Sequence, residues 1–312
     1  MKKNKLISIV APTFNEEANI FAFYERTTSV MEKLIYEWEL IFIDNASTDA
    51  TVPLIKKIIE NDRRVRLIVN SRNFGHIRSP VHGLLQAGGD ACILIASDLQ
   101  DPPELIENLV KAWEDGYKTI LAVKPRSQEN FFMNKIRKTY YAVINSLSEA
   151  PLISNATGFG LYDRDVLSIL KKIDDPYPYF RGLICEIGLK VKTVEFVQPK
   201  RAFGVTKNNF FTLYDIGMLG LVKQSRLPLR ILTIVGFFLS AISFFSAAYY
   251  FSQKLFNWDS FSLGLAPAVI GLFFFTGVQL LCLGLLGEYV GAILMSTRKL
   301  PLVVESERIN FE

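Results

Sequence analysis

The sequence predicts an α/β domain built on a mainly parallel sheet, followed by two membrane-crossing helices. Three observations carry this. Apolar β-rich runs alternate with helical patterns through the N-terminal two-thirds of the chain. Each run ends in a polar cluster. After Leu227 the composition turns apolar in two long uncharged stretches.

The elements follow in order. Strands are expected at Leu6–Ala11, Glu39–Asp44, Val65–Asn70 and Ala91–Ser97, with helices at Ala18–Leu34, Thr51–Glu60 and Arg78–Gln86 between them. Near-continuous apolar strands imply a parallel sheet covered on both faces. The strand tips read "PTFNEE", "DNASTDAT", "NSRNFGH" and "SDLQDPPE". Open α/β sheets bind ligands beyond the carboxyl ends of their strands, so these tips predict the site.

Ile231–Phe251 is an uncharged run of about 21 residues, enough to cross ~30 Å of hydrocarbon as a helix. A second run extends from Leu263 to Gly287. The alternative is a pair of buried core helices. Gly271, Gly277, Gly284 and Gly287 are candidates for close helix packing. Glu288 falls where the second span reaches the interface. Lys223, Arg226 and Arg230 precede the first span, and Arg298 and Lys299 follow the second. The positive-inside rule then places the N-terminal domain and both termini in the cytoplasm. Asn208–Arg230 and Asn130–Ser148 mix apolar and basic residues. They suit helices lying on a bilayer surface or ordinary amphipathic helices packed on the domain. The expected organisation is a catalytic domain over 1–207, an interfacial helix over 208–230, two spans over 231–295 and a cytoplasmic tail over 296–312.

The net charge of +4 over 312 residues does not mark a nucleic-acid binder. Cys92, Cys185 and Cys282 form no CxxC pair and match no zinc spacing, so free thiols in a reducing compartment are expected. His76 and His82 are too far apart in register to share a helix face and read as local hydrogen-bonding residues. The start, "MKKNKLISIVAPTFNEE", carries too short an apolar run for a signal peptide.

"ACILIASDLQDPPE" is the most informative stretch. Asp101-Pro102-Pro103-Glu104 resembles a helix start, with Asp101 as the cap. Asp98 precedes that cap. Asp98 and Gln100 offer hard oxygen donors that suit Mg2+ or Mn2+ shared with a phosphate. Two ligands are an incomplete set, which a diphosphate would complete. The chain has no GxxxxGK[ST] loop and no GxGxxG after its first strand. Acidic strand tips with a divalent ion point instead to a nucleotide sugar.

"SIVAPTFNEEANI", "FIDNASTDAT", "SRNFGH" and "SDLQDPPELI" resemble, in order, the motifs of family-2 glycosyltransferases of the GT-A fold. "GVQLLCLGLLGEYVGAI", from Gly277 to Ile293, resembles the polyprenyl-phosphate glycosyltransferase branch, which includes dolichyl-phosphate mannose synthase and bactoprenol glucosyltransferases. The resemblance covers nearly the whole chain. It implies an inverting transferase that moves one sugar from a UDP- or GDP-sugar to polyprenyl phosphate, in cell-envelope glycan modification, as a homo-oligomer. It implies that Pro12, Phe14, Glu16 and Asp44 hold the nucleoside, and that Asp98 and Gln100 bind the divalent ion. Arg201 and Lys207 of "RAFGVTK" would face the diphosphate and offset charge on the leaving group. Arg181 of "YFRGL" is a candidate for the acceptor phosphate. Lys124, with Arg126 nearby, stands where relatives carry Arg.

The departures from the pattern are specific. Asp-x-Asp becomes Ala96-Ser97-Asp98, the second Asp of "DDGS" becomes Asn45, and the Asp proposed as base in relatives becomes Gly158. A phosphate acceptor tolerates the last change. Its second pKa is near ~6, so it is largely a dianion at neutral pH and attacks without giving up a proton. A sugar hydroxyl would need a general base, worth roughly 10²–10⁴-fold. Two other readings stand beside this one: transfer to another lipid-linked or glycan acceptor, and a non-catalytic nucleotide-sugar-binding scaffold. A processive synthase is disfavoured because none of Trp38, Trp113 and Trp258 lies in a QxxRW motif.

Overall fold

The computed structural model describes residues 3–124, 152–153, 155–198, 210–256 and 265–311. Its strands are β1 (Lys3–Thr13), β2 (Tyr36–Asp44), β3 (Val65–Asn70), β4 (Ala91–Leu94), β5 (Thr119–Val123), β6 (Ala156–Asp163), β7 (Val191–Glu195) and β8 (Glu305–Ile309). They form one sheet of order β7-β5-β6-β4-β1-β2-β3-β8. β1 pairs in parallel with β2 and β4, β2 with β3, and β5 with β7. β6 runs antiparallel between β4 and β5.

The period of β1 shows why the sheet is buried on both faces. Ile7, Ile9 and Ala11 enter one core cluster, while Val10 enters the other. Helices α1 (Ile20–Met31), α2 (Thr51–Asn61) and α4 (Ile106–Glu114) add Phe23, Ile55 and Leu109 to the first cluster. Helices α3 (Gly75–Gln86), α5 (Arg164–Leu170) and α6 (Phe180–Glu186) add Leu84, Leu167 and Ile184 to the second. α3 lies so close to β1 that a Cβ on Gly83 would sit 2.7 Å from Val10 Cγ1.

Two expectations change here. β4 ends at Leu94, not Ser97, because the chain leaves the ladder for a tight turn. In that turn Leu99 takes a left-handed φ of 59° and Asp98 Oδ1 accepts the Gln100 N–H at 3.1 Å. The segment over 296–312, expected as a tail, instead contributes β8, antiparallel to β3. It is fastened to α3 as well. Arg78 donates to the carbonyls of Pro301 and Leu302 at 2.7 Å each, and His82 Nε2 lies 2.6 Å from Glu305 Oε1. His82 is therefore a hydrogen-bonding residue as expected, but its partner is distant in sequence rather than local.

The C-terminal helices are α7 (Phe210–Gln224), α8 (Leu227–Phe256) and α9 (Leu265–Thr297). α8 and α9 contain stretches long and apolar enough to cross a membrane. They are not core helices: their apolar stretches are 0% and 6% buried, and Phe237, Phe244 and Phe273 stand in the open. The glycines expected at a close helix contact are not at one, since a Cβ on Gly271, Gly277, Gly284 or Gly287 would meet nothing within 4 Å. α7 is tied to the domain. Lys223 Nζ donates to Asp175 Oδ2 and to the Tyr177 carbonyl, both at 2.6 Å. That ion pair neutralises one of the cations expected to flank the first span. Tyr289 on α9 donates to the Ser225 carbonyl at 2.7 Å, closing the junction.

Candidate active site

The tips of β1 and β2 interlock. Asn15 N–H donates to Ser47 Oγ and Thr48 N–H to Asn15 Oδ1, both at 2.8 Å. Glu16 N–H donates to Thr51 Oγ1 at 2.9 Å, and its carboxylate accepts from Asn19 Nδ2 at 2.6 Å. Phe14 and Glu16 are half-buried in this joint. Asp44 is fully buried and accepts from the backbone and hydroxyl of Ser47. Burial raises its pKa, and the Ser47 bonds oppose that rise.

Asp101 does not cap a helix. The helical turn begins one residue later, at Pro103–Leu105 with Pro102 at its cap position, so two successive prolines move the start past the acid. Asp101 is buried, and its carboxylate accepts the Ala96 N–H. Burial, then the neighbouring Asp98 charge, push its pKa up to about 6, while Lys124 at the end of β5 pulls the other way. The β4 exit thus gathers Asp98, Gln100, Asp101 and Lys124.

Two repelling carboxyls, one of them with its pKa pushed up to about 6, form an environment that a divalent cation would relieve. With Gln100 they make a hard oxygen donor set, which fits Mg2+ or Mn2+. The set is incomplete by itself: no group of three His, Cys, Asp or Glu side chains suited to a metal occurs among the described residues.

Beside this acid cluster lies a cavity of about 180 Å³. Pro12 from the β1 tip, Ala96 from the β4 exit, Gly158 from β6, His76 from α3 and Arg181 from α6 line it. Its remaining wall is largely apolar, with Val81, Leu94 and Phe159 among the lining residues. Of the site residues expected from the sequence, Pro12 and Arg181 meet here. Asp98, Gln100 and Lys124 lie at the neighbouring acid cluster, and Phe14, Glu16 and Asp44 lie in the β1–β2 joint. Arg126, Arg201, Lys207 and the helix expected at Asn130–Ser148 fall outside the described residues. Sequence reasoning missed His76 as a cavity residue, although it ends the quoted motif "SRNFGH". It also missed Asp101, whose cap-like context hid its burial.

The family model described as Glycosyl transferase family 2 matches residues 8–170. An uncharacterised glycosyltransferase of Bacillus subtilis, YkcC, is 32% identical over 313 residues, covering 100% of this chain and 97% of its own. The bactoprenol glucosyl transferase of Shigella phage SfV is 32% identical over 304 residues, covering 97% of this chain and 99% of its own. Among solved structures, the mannosyltransferase PcManGT of Pyrobaculum calidifontis, in complex with GDP-Man and Mn2+, aligns with 95% of this chain and 88% of its own at a TM-score of 0.46 and 15% identity. The family match spans the strands whose tips build the site, and the relatives extend the likeness through the apolar helices; the chain belongs to glycosyl transferase family 2 and is a glycosyltransferase.

Proposed function

We propose that the protein transfers one sugar from a UDP- or GDP-sugar to polyprenyl phosphate at the cytoplasmic face of a membrane, with inversion at the sugar. The observation that carries this reading is the full-length similarity to bactoprenol glucosyl transferases, which includes the region of the two apolar helices. α8 and α9 cross the bilayer as a hairpin. β8 supports that arrangement, because a strand after the second helix shares a sheet with the N-terminal domain. Two crossings return the chain to the side it left. A homo-oligomer belongs to the same reading, on the family resemblance.

In this reading the nucleoside rests on the β1–β2 joint, against Pro12, Phe14, Glu16 and Asp44. Asp98 and Gln100 hold the divalent ion, with Asp101 behind them. Bound there, Mg2+ or Mn2+ supplies positive charge to the donor diphosphate. Lys124 adds positive charge beside the acids, and the family resemblance assigns Arg126, Arg201 and Lys207, outside the described residues, to offsetting the diphosphate charge. An acceptor phosphate oxygen attacks the sugar's anomeric carbon. The new O–C bond forms as the bond to the nucleoside diphosphate breaks, and that bond's electron pair leaves on the diphosphate. No proton has to move from a dianionic acceptor, which is compatible with Gly158 in place of a base.

The test is to incubate purified protein in nanodiscs with a panel of labelled UDP- and GDP-sugars, undecaprenyl phosphate and Mn2+. Label entering the lipid extract from one donor supports the reading. Label in no lipid from any donor, with donor binding intact, favours a scaffold.

A further inference from the structure

We propose that His76 and Arg181 together grip the phosphate of the acceptor in the cavity at the β1 and β4 tips, and that Asn45 positions His76 for this. The inference rests on the function proposed above and adds His76 and Asn45 to it.

The cavity has the chemistry of a site for a phosphate on an apolar chain. Ala96 and Gly158 both line it and bring no negative charge. A carboxylate at either would repel an anionic acceptor. The polar groups that remain include His76 and Arg181, both exposed at the mouth, where a ligand would cover them. Val81, Leu94 and Phe159 offer the acceptor's hydrocarbon an apolar wall. Desolvation by the cavity walls, then the Arg181 charge, lower the His76 pKa from its ordinary value. The ring is therefore neutral near pH 7 before ligand arrives and offers one N–H to an anion.

Asn45 explains how His76 is held. Its Oδ1 accepts the Phe74 N–H at 2.8 Å, and its Nδ2 donates to Asn73 Oδ1 at 2.9 Å and to the Gly75 carbonyl at 3.2 Å. Gly75, at φ 83°, makes the turn into α3 immediately before His76. Asn70 Nδ2 donates to Asn45 Oδ1 at 3.2 Å and to Ser79 Oγ at 3.0 Å, tying the network to the first turns of α3. An Asp at 45 would accept but could not donate to Asn73 and Gly75. The amide is the group this loop needs.

The test uses full-length protein in nanodiscs. In wild type, undecaprenyl phosphate should raise the melting temperature and undecaprenol should not. His76→Ala should lose that shift and raise the acceptor KM roughly ten-fold or more, the scale of losing a hydrogen bond to a charged group. Its donor KM should stay within about two-fold. His76→Lys should keep the phosphate preference. Asn45→Ala should raise the acceptor KM too, and combined with His76→Ala should add little, because it acts through that residue. An unchanged acceptor KM in His76→Ala, or a change confined to the donor KM, overturns the proposal. If wild type makes no glycolipid, the function proposed above fails. The binding arm still decides here: equal stabilisation of wild type and His76→Ala by undecaprenyl phosphate overturns the His76 assignment, and loss in the variant alone supports a phosphate grip.

Discussion

Ala96 and Gly158 line the same cavity, although they lie on different strands' ends and far apart in sequence. Neither brings a charge to it. The acids that remain, Asp98 and Asp101, sit beside the cavity at the β4 exit, where the Ala96 N–H holds Asp101. In the proposed function, donor chemistry falls to these acids and acceptor chemistry to the cavity beside them.

Placing a carboxylate at 158 should therefore harm the enzyme. Gly158 has a φ of +96°, which an L residue adopts only with strain, although a Cβ there would meet nothing within 4 Å. Gly158→Asp should lower stability by about 1–2 kcal/mol from backbone strain alone and raise the acceptor KM by charge repulsion. Thermal unfolding and acceptor kinetics check this; a faster enzyme would show that a base was wanted.

Asp98→Ala should abolish the Mn2+-dependent part of donor binding while leaving the fold intact, since Asp98 is only half-buried. Calorimetry with UDP- and GDP-sugars, with and without Mn2+, reads it. Unchanged metal-dependent binding would remove Asp98 from the ligand set.

Asp101 gives the apoprotein a pH dependence of known sign. Its folded pKa, about 6, lies above the ordinary Asp value of 3.8, so its contribution is fully present below pH ~4 and is lost as pH rises through ~6. The total is roughly 3 kcal/mol, at about 1.4 kcal/mol per pKa unit. In EDTA, Asp101→Asn should be more stable than wild type at pH 7 and equal to it near pH 4. The quantity to follow is the difference between the two unfolding curves; a constant gap would contradict the burial of an ionisable group.

Glu305 behaves in the opposite sense. Hydrogen bonding to Arg308, with a smaller contribution from His82, lowers its pKa, against a desolvation effect that raises it. Its contribution is present above the ordinary Glu value near 4.5 and is lost as pH falls through the lower folded pKa. Glu305→Gln should loosen β8 at neutral pH, with hydrogen exchange at Glu307–Ile309 several-fold faster and the β1–β2 core unchanged. Equal exchange would mean that the β3 ladder alone holds the strand.

Much of this was legible in the residues. β3 appears with the expected limits because Val65–Asn70 is a short apolar run bounded by turn residues. The two apolar helices were legible from length and lack of charge. β4 was overextended because Ile95 and Ala96 are apolar; the Ile95 N–H still donates to the Val10 carbonyl at 3.0 Å, but the chain then leaves for the turn at Leu99. β8 was missed because "ESERI" is polar and shows no alternation. As an edge strand with exposed residues, its pairing comes from backbone bonds and from Arg78, His82 and Lys56 across space. The acid cluster was half legible. Asp98 stood out at a strand exit, whereas Asp101 followed a local capping rule that the second proline overrides. His76 was hidden because no local pattern separates a cavity histidine from a surface one; its neighbours Arg181 and Gly158 are contributed by distant segments.

The central claim is that the acceptor is a phosphate carried on an isoprenoid chain. Its most direct measurement is mass spectrometry of lipids formed by full-length protein in nanodiscs, given the active nucleotide sugar, Mn2+, and undecaprenyl phosphate or undecaprenol. The account predicts one glycosyl phosphodiester product, carrying a single sugar, from undecaprenyl phosphate and none from the alcohol. Equal transfer to undecaprenol, or transfer only to a glycan acceptor, would contradict it.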